Sequence, residues 1–372
     1  MNPELFSIRK LFYRRAAARL SLEERERERS RDIPYEFSLS ALSSFFFETG
    51  IRQGWLAGDG VPDKSSKKPL LLAVSGGSDS MALLWLFRVF YESELLVLHF
   101  EHGIRESESR EDALFVEDMA RQWGIEAIIR HENVPQSLEK GESLETGARR
   151  LRYLFFERAA KERGACGVAL GHNREDVAET TLFHLLRGSG TRGLVGMLER
   201  RGIFFRPLLA LSRDFLRNVL KFRGVAWRED RTNKDSGCTR NFIRNKLIPA
   251  IESGVNARAV DHLVAFAEEM RYYREEEERQ GDIFIKLIET AKAVDAPWDF
   301  DRAAVSALPL RERTILIREI GRRFEIPVLS RERCLKLALL MEGRQGFEFQ
   351  CGKGAYVLGD RDRIKWRKAG SD

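Results

Sequence analysis

Apolar and polar positions fall into regular blocks along the first two thirds of the chain. Residues 70–74 form an unbroken apolar run, Leu-Leu-Leu-Ala-Val, behind a lysine-rich stretch at 63–68 and ahead of Ser-Gly-Gly. A run of that length entering a tight turn predicts a buried strand. Residues 81–90 are apolar and helix-forming, and 95–100 supply a second strand. The stretch 70–100 is thus a β–loop–α–β unit, the building block of a parallel sheet. The pattern then recurs. It predicts an amphipathic helix over 107–123 stopped by Gly124 and a strand over 126–130. A long helix over 143–163 ended by Gly164, a strand over 167–170 and a helix from about 174 to 187 follow. Such alternation predicts a doubly wound α/β domain built on a parallel sheet, spanning 37–255, with ligands at the carboxyl ends of its strands.

Beyond residue 256 the pattern changes. Residues 257–289 are charged and helical, with an acidic run at 275–278, and predict a small helical domain over 256–325. Short alternating runs at 347–349, 355–358 and 363–366 predict a small α+β region over 326–372. At the other end, residues 1–20 carry Arg9, Lys10, Arg14, Arg15 and Arg19 against a single acid, Glu4. The following stretch, 22–32, is dense in Glu and Arg, which transit peptides avoid, and no apolar segment leads to a cleavage site. Residues 1–36 are therefore expected to form a charged, partly helical extension, either a solvated surface arm or the product of an upstream start codon.

Composition narrows the class. The 372 residues are 43% hydrophobic and 32% charged, a globular balance, and no run approaches the roughly 20 apolar residues that span a bilayer. With 63 basic and 57 acidic residues the net charge is +6, which permits an anionic partner without requiring one. Cys166, Cys238, Cys334 and Cys351 are widely spaced. That argues against a zinc ribbon, a CxxC pair or a disulfide framework, and for a reducing, cytoplasmic compartment.

The sharpest chemical feature is Ser75-Gly76-Gly77-Ser78-Asp79-Ser80, set between a predicted strand and a predicted helix. Two glycines allow backbone N–H groups to approach an anion, the helix start adds its positive dipole end, and three hydroxyls stand ready to donate. Asp79 is out of place in an anion site unless a cation bridges it to a polyphosphate, so it is the expected Mg²⁺ ligand. The loop is neither a Walker motif nor G-x-G-x-x-G, which excludes the P-loop NTPases and ordinary dinucleotide folds.

This hexapeptide resembles the SGGxDS signature of the PP-loop, or N-type, ATP pyrophosphatases, whose fold is adenine nucleotide alpha hydrolase-like. Further segments resemble the tRNA(Ile)-lysidine synthetase family within it. These are His99-Phe100-Glu101-His102-Gly103-Ile104-Arg105, Ala148-Arg149-Arg150-Leu151-Arg152-Tyr153, and the run 171–180, which is close to G-H-H-x-D-D-Q-A-E-T. Leu185-Leu186-Arg187-Gly188-Ser189-Gly190, Arg192-Gly193-Leu194, Arg206-Pro207-Leu208-Leu209, Trp227-Arg228-Glu229-Asp230 and Arg240-Asn241 with Arg244 complete an ordered set over about 40–250. Asn173, Glu175 and Val177 stand where the family usually has His, Asp and Gln.

The resemblance implies a reaction: ligation of L-lysine to C2 of the wobble cytidine of an isoleucine tRNA with a CAU anticodon, through an adenylated intermediate. It implies ATP and Mg²⁺ as cofactors, and it leaves room for a homodimer. The phosphate-binding residues are Ser75, Gly76, Gly77, Ser78, Asp79 and Ser80. Asp79 and Asp176 are expected on the metal, Arg149 or Arg152 on the α-phosphate, and His172 near the reacting centre. Asp176 and Glu179, three apart on a helix, share one face and suit the lysine ammonium. Arg187, Arg192, Arg240 and Arg244 are expected on the tRNA backbone. Plainer readings stand beside these: the acids as a solvated helix face, the arginines as surface charges or salt-bridge partners, and His99 and His102 as strand-end histidines without a catalytic role. Two other functions compete. A tRNA thiolase would be expected to carry catalytic cysteines near the loop, whereas Cys166 reads as a small core residue. A non-catalytic nucleotide- or RNA-binding module would keep the loop without the acids and arginines.

Overall fold

The computed structural model describes residues 20, 24, 28, 34–56, 68–103, 106–229, 239–290, 298–326, 329–352 and 354–368. The chain resolves into two compact units, 1–183 with 196–264, and 184–195 with 265–372.

The first unit is a three-layer α/β structure. Its sheet contains β1 (Leu70–Ala73), β2 (Leu95–Glu101), β3 (Glu126–His131), β4 (Gly167–Leu170), β5 (Arg200–Arg201) and β6 (Phe204–Phe205), in the order β3-β2-β1-β4-β6-β5. The β1–β2, β2–β3, β1–β4 and β4–β6 pairs are parallel, and only β5 runs antiparallel to its neighbour β6. The helices are α1 (Leu39–Gln53), α2 (Ser78–Phe90), α3 (Glu106–Gln122), α4 (Leu144–Glu162) and most of α5 (Arg174–Leu186); after the short α6 (Thr191–Leu194), which is counted in the second unit, comes α7 (Arg213–Arg223) of the first.

The apolar runs predicted as strands are buried on both faces because alternate side chains face opposite layers. Leu70, Leu72, Val97, Ala169 and Phe205 join one cluster with Phe46 of α1, Leu83 and Trp85 of α2, Val116 of α3 and Leu216 of α7. Leu71, Leu96, Leu98, Val168, Leu170 and Phe204 join another with Phe156, Ala159 and Ala160 of α4. Strands β2 and β3 lie on one side of β1 and β4 on the other, so the direction in which strands are added to the sheet reverses between β1 and β4. The loops leaving those two strands therefore open a crevice, the switch point at which doubly wound sheets bind ligands.

The expected solvated arm is not solvated at its described positions. Leu20 is buried in the core, and the Glu24 carboxylate accepts from the Trp85 indole at 2.9 Å and from Arg88 at 2.8 and 3.0 Å. Glu28 accepts from the backbone N–H of Leu39 at 2.8 Å and from buried Arg223 at 2.6 Å. Some of the charges that made this stretch look like a surface helix are partners for buried cations and an indole. The remaining residues of 1–33 lie outside the described ones.

In the chain after α7, α8 (Thr239–Phe242) continues through a π-turn at Ile243–Leu247 into α9 (Ile248–Gly254). Pro249 explains the widening, since it has no N–H to give to the preceding turn and its ring crowds the carbonyl four residues back. The helix α10 (Ala259–Thr290) follows.

The second unit has an antiparallel sheet, β7 (Asp299–Asp301), β8 (Phe347–Gly352), β9 (Ala355–Gly359) and β10 (Arg363–Lys368), in the order β7-β10-β9-β8. It also holds α11 (Arg302–Ala307), α12 (Leu310–Arg323) and α13 (Arg331–Glu342). Residues from both expected C-terminal regions share its core: Ile285, Phe300, Leu316 and Ile320 pack with Leu337, Val357 and Trp366. The buried Arg302 knits the unit together by donating to the backbone carbonyls of Leu340, Met341 and Gln345, at 2.8, 3.3 and 2.9 Å, and to that of Asp360.

Candidate active site

The loop after β1 turns on Gly76, whose φ of +94° is open to glycine and strained for residues with a Cβ. Gly77 caps α2 in an extended conformation, leaving the first N–H groups of that helix without intrahelical partners. Ser80 braces the turn: its Oγ accepts from the Ser75 N–H at 3.1 Å, lies 3.2 Å from the Ser75 Oγ, and donates to the Gly77 carbonyl at 3.0 Å. That hydroxyl is therefore engaged within the loop, and Ser78 Oγ points to Asp79 Oδ1 at 3.4 Å. Farther along, the Arg228 N–H donates to the Gly76 carbonyl at 2.9 Å, and its guanidinium is held by Asp112 and Glu111. His99 Nδ1 lies 2.9 Å from the Val74 carbonyl. It is buried at the root of the loop, where burial pushes its pKa down.

The loop after β4 lies directly against this turn. A Cβ on Gly171 would stand 3.2 Å from both the N and Cα of Ser80, so glycine is what permits the approach. Next along the chain, His172 has a Nδ1 shut off from solvent without a hydrogen-bond partner among the described residues. Burial pushes this imidazole down to about 3, so it is neutral at physiological pH. Asn173 caps α5, its Oδ1 accepting from the Asp176 N–H at 3.0 Å.

The acids expected to hold metal and lysine converge here and are already paired. Arg244, carried on the π-turn, places Nε 2.6 Å from Glu179 Oε1, and Nη2 2.8 Å from both Glu179 Oε2 and Asp176 Oδ1. Arg240 reaches the same two carboxylates at 3.3 and 3.4 Å. Arg213, at the start of α7, stands 3.7 Å from Asp79 Oδ2 and 3.6 Å from Glu179 Oε1, while its N–H donates to Glu175 at 2.9 Å. Three acids thus face three arginines. Burial alone would push the Asp176 carboxyl up, but its cationic neighbours Arg240 and Arg244 and the Asn173 N–H outweigh it and hold the group low. Asp79 behaves in the opposite way. Burial pushes it up to about 6, and Arg213 offsets this only in part.

A divalent cation fits the Asp79 corner. Its Oδ1 is a hard oxygen that meets only the Ser78 hydroxyl among the described residues. No cluster of three or more His, Cys, Asp or Glu side chains that could cage a metal exists among those residues. A single carboxylate with shared phosphate and water ligands suits Mg²⁺, which dehydrates reluctantly. Asp176 would join it only by exchanging arginine contacts.

Of the two arginines expected on phosphate, Arg152 is half-buried, and burial pushes its pKa down; Arg149 and Arg240 are near enough to add to that shift. Arg149 is exposed, its guanidinium 4.9 Å over the Tyr153 ring. Arg187 is exposed at the end of the α5 region, in the second unit, and the Arg192 side chain lies outside the described residues.

A family profile described as a PP-loop domain matches residues 57–251. A tRNA(Ile)-lysidine synthase of Chlorobaculum tepidum is 33% identical over 308 residues, which cover 81% of this chain and 92% of that protein. The chain belongs to the tRNA(Ile)-lysidine synthase family. Another relative in the family, a tRNA(Ile)-lysidine synthase of Thermus thermophilus, is 39% identical over 251 residues, covering 65% of this chain and 48% of the relative. The chain spans about half the length of this and several other curated relatives that it matches. Among solved structures, the U34-tRNA thiolase NcsA of Methanococcus maripaludis with its [4Fe-4S] cluster is similar over 63% of this chain and 80% of that one, at 15% identity and a TM-score of 0.49.

Two members of this cluster are not evident from sequence reasoning. Arg213 has no motif to mark it. Asn173 reads as a mere substitution in the family pattern, although an Asn immediately before a helix is a favoured N-cap, and that signal could have found it.

Proposed function

We propose that the chain ligates L-lysine to C2 of the wobble cytidine of an isoleucine tRNA with a CAU anticodon, using ATP, in the cytoplasm. This reading is supported by the approach of the Gly171–Asn173 loop to the Ser75–Ser80 turn, at the switch point between β1 and β4, with Asp176 bonded to Asn173 and Glu179 sharing Arg213 with Asp79. A cytosine C2 oxygen is a poor leaving group. Its attack on the α-phosphate of ATP, with loss of pyrophosphate, converts it into an adenylate, and attack of the lysine ε-amine at C2 then expels AMP. In this reading the turn and the N-terminus of α2 bind the phosphate chain. Arg152, with Arg149 beside it, neutralises charge at the α-phosphate through a guanidinium fork. Mg²⁺, held by Asp79 with Asp176 as second ligand, supplies charge neutralisation when bound. His172, a base too weak to take a proton from an ammonium at neutral pH, orients the reacting groups by hydrogen bonding. Glu179 and Asp176 receive the lysine ammonium in place of a guanidinium contact now made by Arg240 or Arg244. Arg187 and Arg192 contact the tRNA backbone, and Arg240 and Arg244 do so on leaving the acids. Removing any one of these phosphate interactions should flatten the salt dependence of tRNA binding by about one log unit per log unit of salt.

The described cysteines do not favour the thiolase reading. Burial pushes the Cys166 thiol up and the Cys351 thiol up to about 11, whereas sulfur transfer needs a thiolate. Incubation with Mg-ATP, radiolabelled lysine and unmodified tRNA(Ile) should place label in the tRNA and release AMP; tRNA that stays unlabelled sinks the proposal. Asp79→Ala should abolish ATP consumption, by about 10³-fold or more. Sedimentation of the chain with and without tRNA reads out the dimer that the family resemblance leaves room for.

A further inference from the structure

Asn173 is fully buried and makes three hydrogen bonds that tie two acids of the site together. Its side-chain Nδ2 donates to Asp79 Oδ2 at 3.0 Å, its backbone N–H donates to Asp176 Oδ2 at 3.0 Å, and its Oδ1 accepts from the Asp176 N–H at 3.0 Å. The orientation of the amide is forced. A backbone N–H requires an oxygen opposite it and a carboxylate requires a donor, so the two ends of the amide cannot be exchanged. Asp79 and Asp176 are like charges whose proximity raises the proton affinity of Asp79. Asn173 stands between them: its side-chain amide satisfies one oxygen of Asp79 and its backbone N–H one oxygen of Asp176.

The consequence lies in which oxygen is left over. Asp79 Oδ2 is committed to Asn173, with Arg213 at 3.7 Å on the same atom, whereas Oδ1 keeps only the Ser78 hydroxyl, at 3.4 Å, among the described residues. We propose that Asn173 is a positioning residue that locks the Asp79 carboxylate in one rotamer, with Oδ1 offered to the divalent cation of the nucleotide. It does so with a neutral group that caps α5 in the same stroke. The family usually has His at this position. A neutral imidazole also has one donor and one acceptor, but its protonated form has two donors and loses the acceptor that the cap needs. Asn supplies both functions at every pH. This inference rests on the metal assignment made above for Asp79 and on nothing about the tRNA.

Asn173→Ser separates the two functions. A serine hydroxyl still accepts from the Asp176 N–H, so the cap survives, but it is too short to reach Asp79. The probe is Mn²⁺, followed by its paramagnetic resonance signal during titration into the full chain with a non-hydrolysable ATP analogue. Outer-shell partners of metal ligands are typically worth about 10- to 100-fold in metal affinity, and a loss of that size is expected for Asn173→Ser. Nucleotide affinity measured in EDTA should stay within about twofold, because the substitution takes away nothing that touches phosphate. Asn173→His should recover most of the Mn²⁺ affinity, which a merely structural role would not predict. Asn173→Asp keeps the cap and sets a carboxylate against Asp79, and it should be the weakest binder. Mn²⁺ affinity equal to wild type in both Asn173→Ser and Asn173→Asp overturns the proposal, as does an equal loss of metal-free nucleotide binding. If the wild-type chain binds Mn²⁺ with the analogue but fails to lysidinylate tRNA, the functional reading falls while the role of Asn173 stands.

Discussion

Two buried acids in this chain, Glu179 and Glu319, are each surrounded by arginines, and their contrast separates a site from a scaffold. Glu319 of α12 is paired with Arg322 and Arg323, one turn along its own helix, at 2.5 to 2.9 Å. It also abuts Gly281 of α10, where a Cβ would come within 2.6 Å of the glutamate Cβ. Its arginine partners are local, and Arg323 also donates to Asp282 of α10, so the arrangement locks one helix against another. Glu179 draws Arg213, Arg240 and Arg244 from 34 to 65 residues away, and its neighbour Asp176 can take over two of them. In the proposed reading, such long-range, shared and replaceable partners make a place where a substrate cation enters. A fixed local pair describes a rivet.

The sharpest way to break this distinction is to make the same change in both places. Glu179→Gln should raise the KM for lysine by about 100-fold, the loss of one charge-assisted contact at about 2.7 kcal/mol. Glu319→Gln should leave that KM within about twofold while lowering stability by about 3 kcal/mol in urea unfolding, the lower end for a broken buried pair because its arginines reach water. A lysine effect of equal size in Glu319→Gln would erase the contrast.

A second test uses pH. Asp79 is raised from 3.8 to about 6 in the folded chain, so the native state holds its proton more tightly than the unfolded state. Stability from this group is therefore complete below about pH 4 and is lost as pH rises toward and through 6. Asp79→Asn should match wild type near pH 3.5 and exceed it by about 2–3 kcal/mol at pH 8. A constant offset across that range would mean that burial at the switch point is not what raises the group.

The smallest effect concerns the approach of the two loops. Gly171→Ala places a methyl 3.2 Å from the Ser80 backbone, which must yield by a few tenths of an ångström. ATP affinity should fall about tenfold, near 1.4 kcal/mol, with the unfolding midpoint scarcely moved. An unchanged affinity would show that the phosphate turn tolerates displacement.

Much of the first unit is legible in the sequence because its signals are local. β1, β2 and β4 are short apolar runs bounded by turn residues, and each strand forms within a residue of its expected limits. The β5–β6 hairpin is not legible: two residues per strand carry no periodicity, and only pairing with β4 and with each other defines them. The convergence of the site follows from strand order, but the partner of each charge does not. Residue type marks Arg240 and Arg244 as cations, and only the π-turn at Ile243–Leu247 and the packing of Leu182 with Ile243 and Ile248 turn them toward Asp176 and Glu179. Glu24 is hidden in the same way. In a run of alternating Glu and Arg nothing local distinguishes the one carboxylate that meets Trp85.

Strand order has a last consequence, for synthesis on the ribosome. β1 is made first, yet its second neighbour, paired as Ala73 with Leu170, arrives about 100 residues later. At roughly 5–20 residues per second, the nascent chain exposes an apolar central strand with one open edge for about 5–20 s. Translation speed and chaperone capture over that interval, more than the final stability of the domain, would then set the yield of folded chain.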